Sequence, residues 1–337
     1  MPDEPIPNAD ATPAESNPPL SRGFSLKAYF RLVRLPNVFT AIADIVAGFG
    51  IMCGLYGWQG YANLFILCGA SAALYLAGMA FNDVADREID AEFHADRPIP
   101  SGKISVDGAI ACGVVLMAIG VGLSALAGMS SLIRGAMLAA AILKYDFDSK
   151  NHALSGPLFL GVCRFLNMQL GLSAHPDFGS SLVTAGFLEV PWGPAIASGL
   201  YAAGLTAFSA QEEEGKRTTA IIAGWILAFG GILVAGIGSI GGTRLAWAAL
   251  APLTLVLLYL TKRLRKLGTP QAARDLVRAG VMGVCVLDCG MVLGFGTLSA
   301  TKIDWVVLAP IWPFAAICLG LLVPGLIIGK WLRQTEA

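Results

Sequence analysis

Recurrent long apolar runs constrain this chain more than any other feature. A bilayer is crossed by about 20 helical residues, and runs of that order recur at roughly 37–56, 62–82, 106–127, 130–147, 156–174, 190–210, 218–239, 243–261, 277–298 and 303–329. With 55% hydrophobic and only 14% charged residues, the chain lies outside the range of an ordinary soluble domain. It reads as an all-α, polytopic membrane helix bundle. The fourth run is short and the last contains Pro310, Pro313 and Pro324, so nine or ten spans satisfy the pattern. Residues 1–23, rich in Pro, Ala, Asp, Glu and Asn, read as a disordered tail, which leaves 24–337 as one membrane domain.

The formal net charge is zero, so no overall field draws nucleic acid to the chain. When alternate gaps between runs are assigned to one side, that side collects nearly all Lys and Arg. Arg134, Arg244 and Lys302 fall opposite, and Arg164 falls inside a span. Cytoplasmic loops accumulate positive charge, which places both termini and the 83–105 gap in the cytoplasm. Residues 24–36 alternate Lys27, Arg31 and Arg34 with apolar residues, a pattern suited to a short helix on the membrane surface. The seven cysteines all lie in apolar runs without C-x-x-C spacing, and His94, His152 and His175 are scattered, so no zinc or redox site is expected.

Between the second and third runs lies an acidic island, Asn82 to Ser105, reading NDVADREIDAEFHADRPIPSGKIS. Its N-D-x-x-D-x-x-x-D pattern puts Asn82, Asp86 and Asp90 on one helix face, a turn apart, with Asp83 beside them. Such a stripe repels itself unless positive charge sits among the oxygens. Hard cations such as Mg²⁺ take oxygen ligands and share them with substrate phosphates, so the stripe suggests a magnesium and phosphate site. The following loop, Arg97 to Lys103, is fixed by prolines and carries cations back toward the carboxylates.

A second acidic cluster, in residues 211–217, follows the sixth run and contains Glu212, Glu213 and Glu214. It is either a second metal-bearing face across a shared cavity or a solvated helix end. Between the clusters, Tyr145 and Lys150 end the fourth run on the same side. Lys150 suits phosphate oxygens or lipid headgroups equally well. Arg164 and Asn167 lie within the fifth run, where an ionisable group is expensive and faces the protein interior or a wet cavity. They either face a diphosphate or pair with a membrane-depth acid such as Asp44 or Asp288.

These residues resemble the UbiA superfamily of intramembrane prenyltransferases, whose first signature is N-D-x-x-D-x-x-x-D followed by R-P-x-x-S-G. Asn82 to Asp90 and Arg97 to Gly102 match it in full, and the approach RLVRLPNVF and the Y-x-x-x-x-K segment Tyr145 to Lys150 are similar to it. The departure is the second cluster, where the family has D-x-x-x-D and this chain has adjacent glutamates. That form, with YDFDSKN and CRFLN, is similar to the EboC-type branch, associated with export of secondary metabolites.

The resemblance implies a bundle around a central lipid-open cavity and Mg²⁺-dependent transfer of a prenyl group from a polyprenyl diphosphate to a small electron-rich acceptor in the membrane. On that reading Asn82, Asp86, Asp90, Glu212 and Glu213 hold metal, and Arg97, Lys103, Lys150, Arg164 and Asn167 face the diphosphate. Asp83, Asp86, Tyr145 and Lys150 carry the chemistry. The altered second cluster keeps one alternative open, a non-catalytic membrane protein that binds or moves a prenylated or aromatic metabolite.

Overall fold

The computed structural model describes residues 26–57, 60–150, 152–179, 192–209, 218–238, 244–298 and 308–334. These residues are almost wholly helical. A short helix α1 (Leu26–Leu32) and a 3-10 turn (Leu35–Asn37) lead into α2 (Val38–Tyr56), followed by α3 (Ala62–Ala85) and α4 (Arg87–Phe93). Next come α5 (Val106–Leu126), α6 (Met129–Lys144), a π-helical turn (Tyr145–Ser149), α7 (Ser155–Leu172) and α8 (Trp192–Ser209). The remaining helices are α9 (Thr218–Gly238), α10 (Ala246–Leu267), α11 (Pro270–Phe295), α12 (Trp312–Gly320) and α13 (Leu322–Gln334).

Every expected run thus contains helix, and seven helical segments among the described residues are long and apolar enough to cross a bilayer. The others differ for visible reasons. At 16 residues α6 is short, and α7 carries Arg164, Asn167 and Gln169 in its interior. The 18 residues of α8 are diluted by glycine, serine and proline, whereas the last run, though broken at Leu321 into α12 and α13, is one of the seven. The segment expected to lie on the membrane surface is α1, and it is docked instead. Its Ala28 and Leu32 are buried with Ala80, Val84, Ile104 and Ala109, so α1 caps the end of α3 and the start of α5.

At the centre stands α2, which packs against α3, α7, α11 and α12. A helix apolar on all sides belongs inside a bundle, and Ala43, Ile45, Ala47, Phe49, Ile51 and Met52 are wholly buried. Without a hydrophobic drive between helices in lipid, close backbone approach supplies the contact. At the α2–α7 crossing, a Cβ on Gly171 would collide with the Asp44 and Ile45 backbone. On the rim, α5 turns Val114, Val115 and Ile119 outward, as a lipid-facing helix must.

The crossing is testable. Gly171→Leu is expected to destabilise the protein by about 1–3 kcal/mol or more through overpacking. Gly122→Leu, at a position with nothing near its added Cβ, is expected to leave it unchanged. Thermal melting in detergent, followed by gel filtration, checks both.

Candidate functional site

The site forms where α3 emerges from the bundle. Asp86 breaks the helix between α3 and α4, yet the i→i−4 ladder runs through it. The Asp86 N–H donates to the Asn82 carbonyl at 3.0 Å, and the Asp90 N–H to the Asp86 carbonyl at 2.8 Å. Asn82, Asp86 and Asp90 therefore sit on consecutive turns.

Each acid meets a cation brought from a different element. Lys150, at the end of the π-turn, puts Nζ 2.6 Å from Asp86 Oδ1 and donates to the Asn82 carbonyl at 3.1 Å. Arg97 Nη1 donates to both oxygens of buried Asp90 at 2.6 Å. The 94–105 loop makes this possible by folding back on itself. Ser101 and Ile104 amides donate to the Arg97 and Pro98 carbonyls, Gly102 takes φ 71° where glycine alone is unstrained, and Ser105 caps α5. Lys103, expected near the diphosphate, lies exposed beside that turn.

The third cation is Arg34, which the sequence suggested only as a surface charge. Its backbone is left-handed (φ 46°), the one described non-glycine residue at positive φ, a conformation that persists only where the surroundings hold it. The guanidinium reaches Asp83 Oδ1 at 3.1 Å and Asn82 Oδ1 at 3.3 Å. Its available signal was the RLVRLPN approach segment.

Asp146 was also missed. It lies in the π-turn beyond the end of α6, where its Oδ1 accepts from Asn82 Nδ2 at 3.4 Å and its Oδ2 is buried with no hydrogen-bond partner among the described residues. Burial pushes its carboxyl up to about 7, against the pull of Lys150 and the Asn82 hydrogen bond. A buried carboxylate oxygen left without a partner is costly. Its position beside Asn82 and Asp86 makes an oxygen donor set that fits a hard divalent cation. Asp90, also expected to hold metal, here has both oxygens accepting from Arg97. Among the described residues no three His, Cys, Asp or Glu side chains already converge as a metal cluster. Glu212 and Glu213 lie outside the described residues.

Beneath the mouth a cavity of about 280 Å³ runs into the bundle. Arg34, Asn82, Tyr145 and Asp146 line it at the top, Leu138, Ile142 and Leu160 along its wall, and Thr40, Ser71, Arg164 and Asn167 deeper in. Arg164 and Asn167 take the second of the two expected roles, pairing with a membrane-depth acid, while also lining the cavity. They border the cavity, and they bind Asp44, through Arg164 Nη1 at 3.0 Å and Asn167 Nδ2 at 2.8 Å to Asp44 Oδ2. Thr40 completes the arrangement, its carbonyl and hydroxyl accepting from Arg164 at 2.9 and 2.7 Å.

The described residues thus form a membrane helical bundle with an oxygen-rich, cation-lined mouth over a cavity. The chain belongs to the UbiA prenyltransferase family, whose model matches residues 44–282. A digeranylgeranylglyceryl phosphate synthase of Saccharolobus solfataricus is 35% identical over 148 residues, 44% of this chain and 51% of the synthase. A protoheme IX farnesyltransferase of Acidiphilium cryptum is 41% identical over 112 residues, 33% of this chain and 32% of the farnesyltransferase. The chain thus spans about half the length, or less, of these curated relatives. The apo structure of a UbiA homolog from Aeropyrum pernix K1 has the same fold, with TM-score 0.61 at 22% identity over 74% of this chain and 96% of that one.

Breaking a buried ion pair costs about 3–5 kcal/mol because it strands a charge. Arg97 is partly exposed, with 29% of its side chain accessible against 3% for Asp90, so Arg97→Ala is expected to fall at or below the lower end of that range. Adding Asp90→Asn to Arg97→Ala is expected to restore part of the loss. Unfolding of the single and double variants measures that coupling.

Proposed function

We propose that this protein transfers a prenyl group from a polyprenyl diphosphate to a small acceptor within the membrane, with the mouth on the cytoplasmic side. The observation that carries the reading is the convergence of Asp86, Asp83, Asn82 and Asp146 with Lys150 and Arg34 over an apolar cavity. Family membership supports it, and so do the relatives' printed activities, digeranylgeranylglyceryl phosphate synthase and protoheme IX farnesyltransferase.

Asn82, Asp86 and Asp146 would hold a divalent cation, with Glu212 and Glu213 as candidates for a second. Bound there, Mg²⁺ supplies the positive charge that a departing diphosphate requires. Lys150 and Arg34 now rest on Asp86 and Asp83, and each can turn its donors to phosphate oxygens when a diphosphate arrives. Asp83 holds Arg34 in place. Leu138, Ile142 and Leu160 take up the prenyl chain and keep water from the allylic carbon once its bond to oxygen weakens. Tyr145, on the same wall, presents an aromatic face to the developing cation. Arg164 and Asn167, deeper in, suit the polar end of an acceptor better than the diphosphate, since Asn82 and Lys150 mark the other end of the cavity.

The test is diphosphate release from geranylgeranyl diphosphate by purified protein with a set of small aromatic and lipid-alcohol acceptors. Release is expected to require Mg²⁺ and to fall at least about 100-fold in Asp86→Asn and Lys150→Ala, the scale seen when one electrostatic stabiliser is removed. Tight Mg²⁺-dependent binding with no product from any acceptor would favour a non-catalytic carrier.

A further inference from the structure

The bundle core also contains a pair of buried acids, Asp44 and Asp288, to which the proposed reaction assigns no role. Asp44 on α2 and Asp288 on α11 are both fully buried. Asp44 Oδ2 accepts from Arg164 and Asn167, whereas among the described residues its Oδ1 has only the Ser198 hydroxyl, at 3.5 Å. Neither oxygen of Asp288 has a hydrogen-bond partner among the described residues. The helices that carry them pack against each other, and each carboxyl lies within the other's electrostatic influence. Two ionised carboxylates can only accept, so with both charged the pair is repulsive.

We propose that Asp44 and Asp288 form a proton-binding site in the bundle core, holding one exchangeable proton between their carboxyl groups. Charge count requires something of the kind. Two carboxylates face a single guanidinium, Arg164, and one negative charge is left over where lipid and protein supply no solvent. The other titratable groups that feel Asp288 do not provide a countercharge. Tyr201 from α8 donates its proton to the Gly280 carbonyl at 2.9 Å. Cys318 from α12 and Cys285 and Cys289 from α11 are thiols.

A proton on the pair satisfies an Asp288 oxygen that otherwise has no partner among the described residues. With it in place Asp288 donates to Asp44 Oδ1, and Asp44 Oδ2 keeps its charge for Arg164. The cluster is then neutral. Since Arg164 borders the cavity, the charge it offers a ligand depends on whether the proton is bound, so ligand binding and proton occupancy are linked. This inference stands independently of the transfer reaction.

Infrared spectroscopy of the full-length protein in lipid nanodiscs, with hydrogen–deuterium exchange, reads the proton directly. The native protein is expected to show, at neutral pH, a protonated carboxylic acid carbonyl stretch that shifts in heavy water and is lost in Asp288→Asn, as read from the difference spectrum, while any band from Asp146 is common to both proteins. The asparagine amide donates to Asp44 in the proton's place, so this variant is expected to melt within a few degrees of native, whereas Asp288→Ala melts distinctly lower. Identical carboxyl bands in native protein and Asp288→Asn overturn the proposal. So does a native melting temperature raised by sodium over choline, with no such rise in Asp288→Asn, because a metal ion would then occupy the pair.

Discussion

Carboxylates gathered at the end of one apolar helix cannot stay ionised together unless positive charge is brought to them from elsewhere. That requirement shapes the mouth of this bundle. Asp83, Asp86 and Asp90 lie on or just beyond α3, and their partners Arg34, Lys150 and Arg97 come from the turn before α2, the turn after α6 and the 94–105 loop. Buried ion pairs add little net stability but are costly to break. Their effect here is to fix where three connecting segments lie, and so to build a mouth from pieces distant in sequence. On the proposed function, an incoming diphosphate with its cation would meet donors and acceptors already in place, which is the preorganisation that transition-state charge needs.

The same logic recurs deeper down, with different consequences. Arg164, Asn167 and Thr40 surround Asp44 at the centre of the bundle, tying α7 to α2 where Gly171 lets their backbones touch. This seam gives the cavity a polar inner end opposite its polar mouth. An elongated ligand with an apolar middle is what such a space accommodates. The outward faces of α5 and α9 carry exposed Val115, Ile119, Ile226 and Leu233, which face lipid and take no part.

Much of this architecture was legible in the residues. Hydropathy located the helices because a backbone in lipid must satisfy itself, and helices are the solution available to runs of this length. Four-residue spacing placed Asn82, Asp86 and Asp90 on successive turns, since that period belongs to the helix. Other features depended on the path of connecting segments. Arg34 looked like a headgroup charge because the residues around it follow an amphipathic period; its left-handed backbone, which turns it inward, has no sequence mark at a non-glycine position. Asp146 was passed over beside Tyr145 and Lys150 because the π-turn that buries it inserts an extra residue into the helical register. Lys103 was expected inward by charge alone, and the Gly102 turn leaves it exposed. For Arg164, composition allowed Asp44 or Asp288 as its partner, and only packing of α2 on α7 decides for Asp44.

The central claim is that the α3 mouth holds a prenyl diphosphate through a divalent cation together with Lys150. It is tested most directly by equilibrium binding of an unreactive geranylgeranyl thiolodiphosphate as Mg²⁺ is varied, in native protein and Lys150→Ala. The account predicts tight binding to native protein only with Mg²⁺, and binding weakened at least about tenfold, roughly 1.4 kcal/mol, in the variant. Equal affinity with and without Mg²⁺, or no loss in Lys150→Ala, would contradict it.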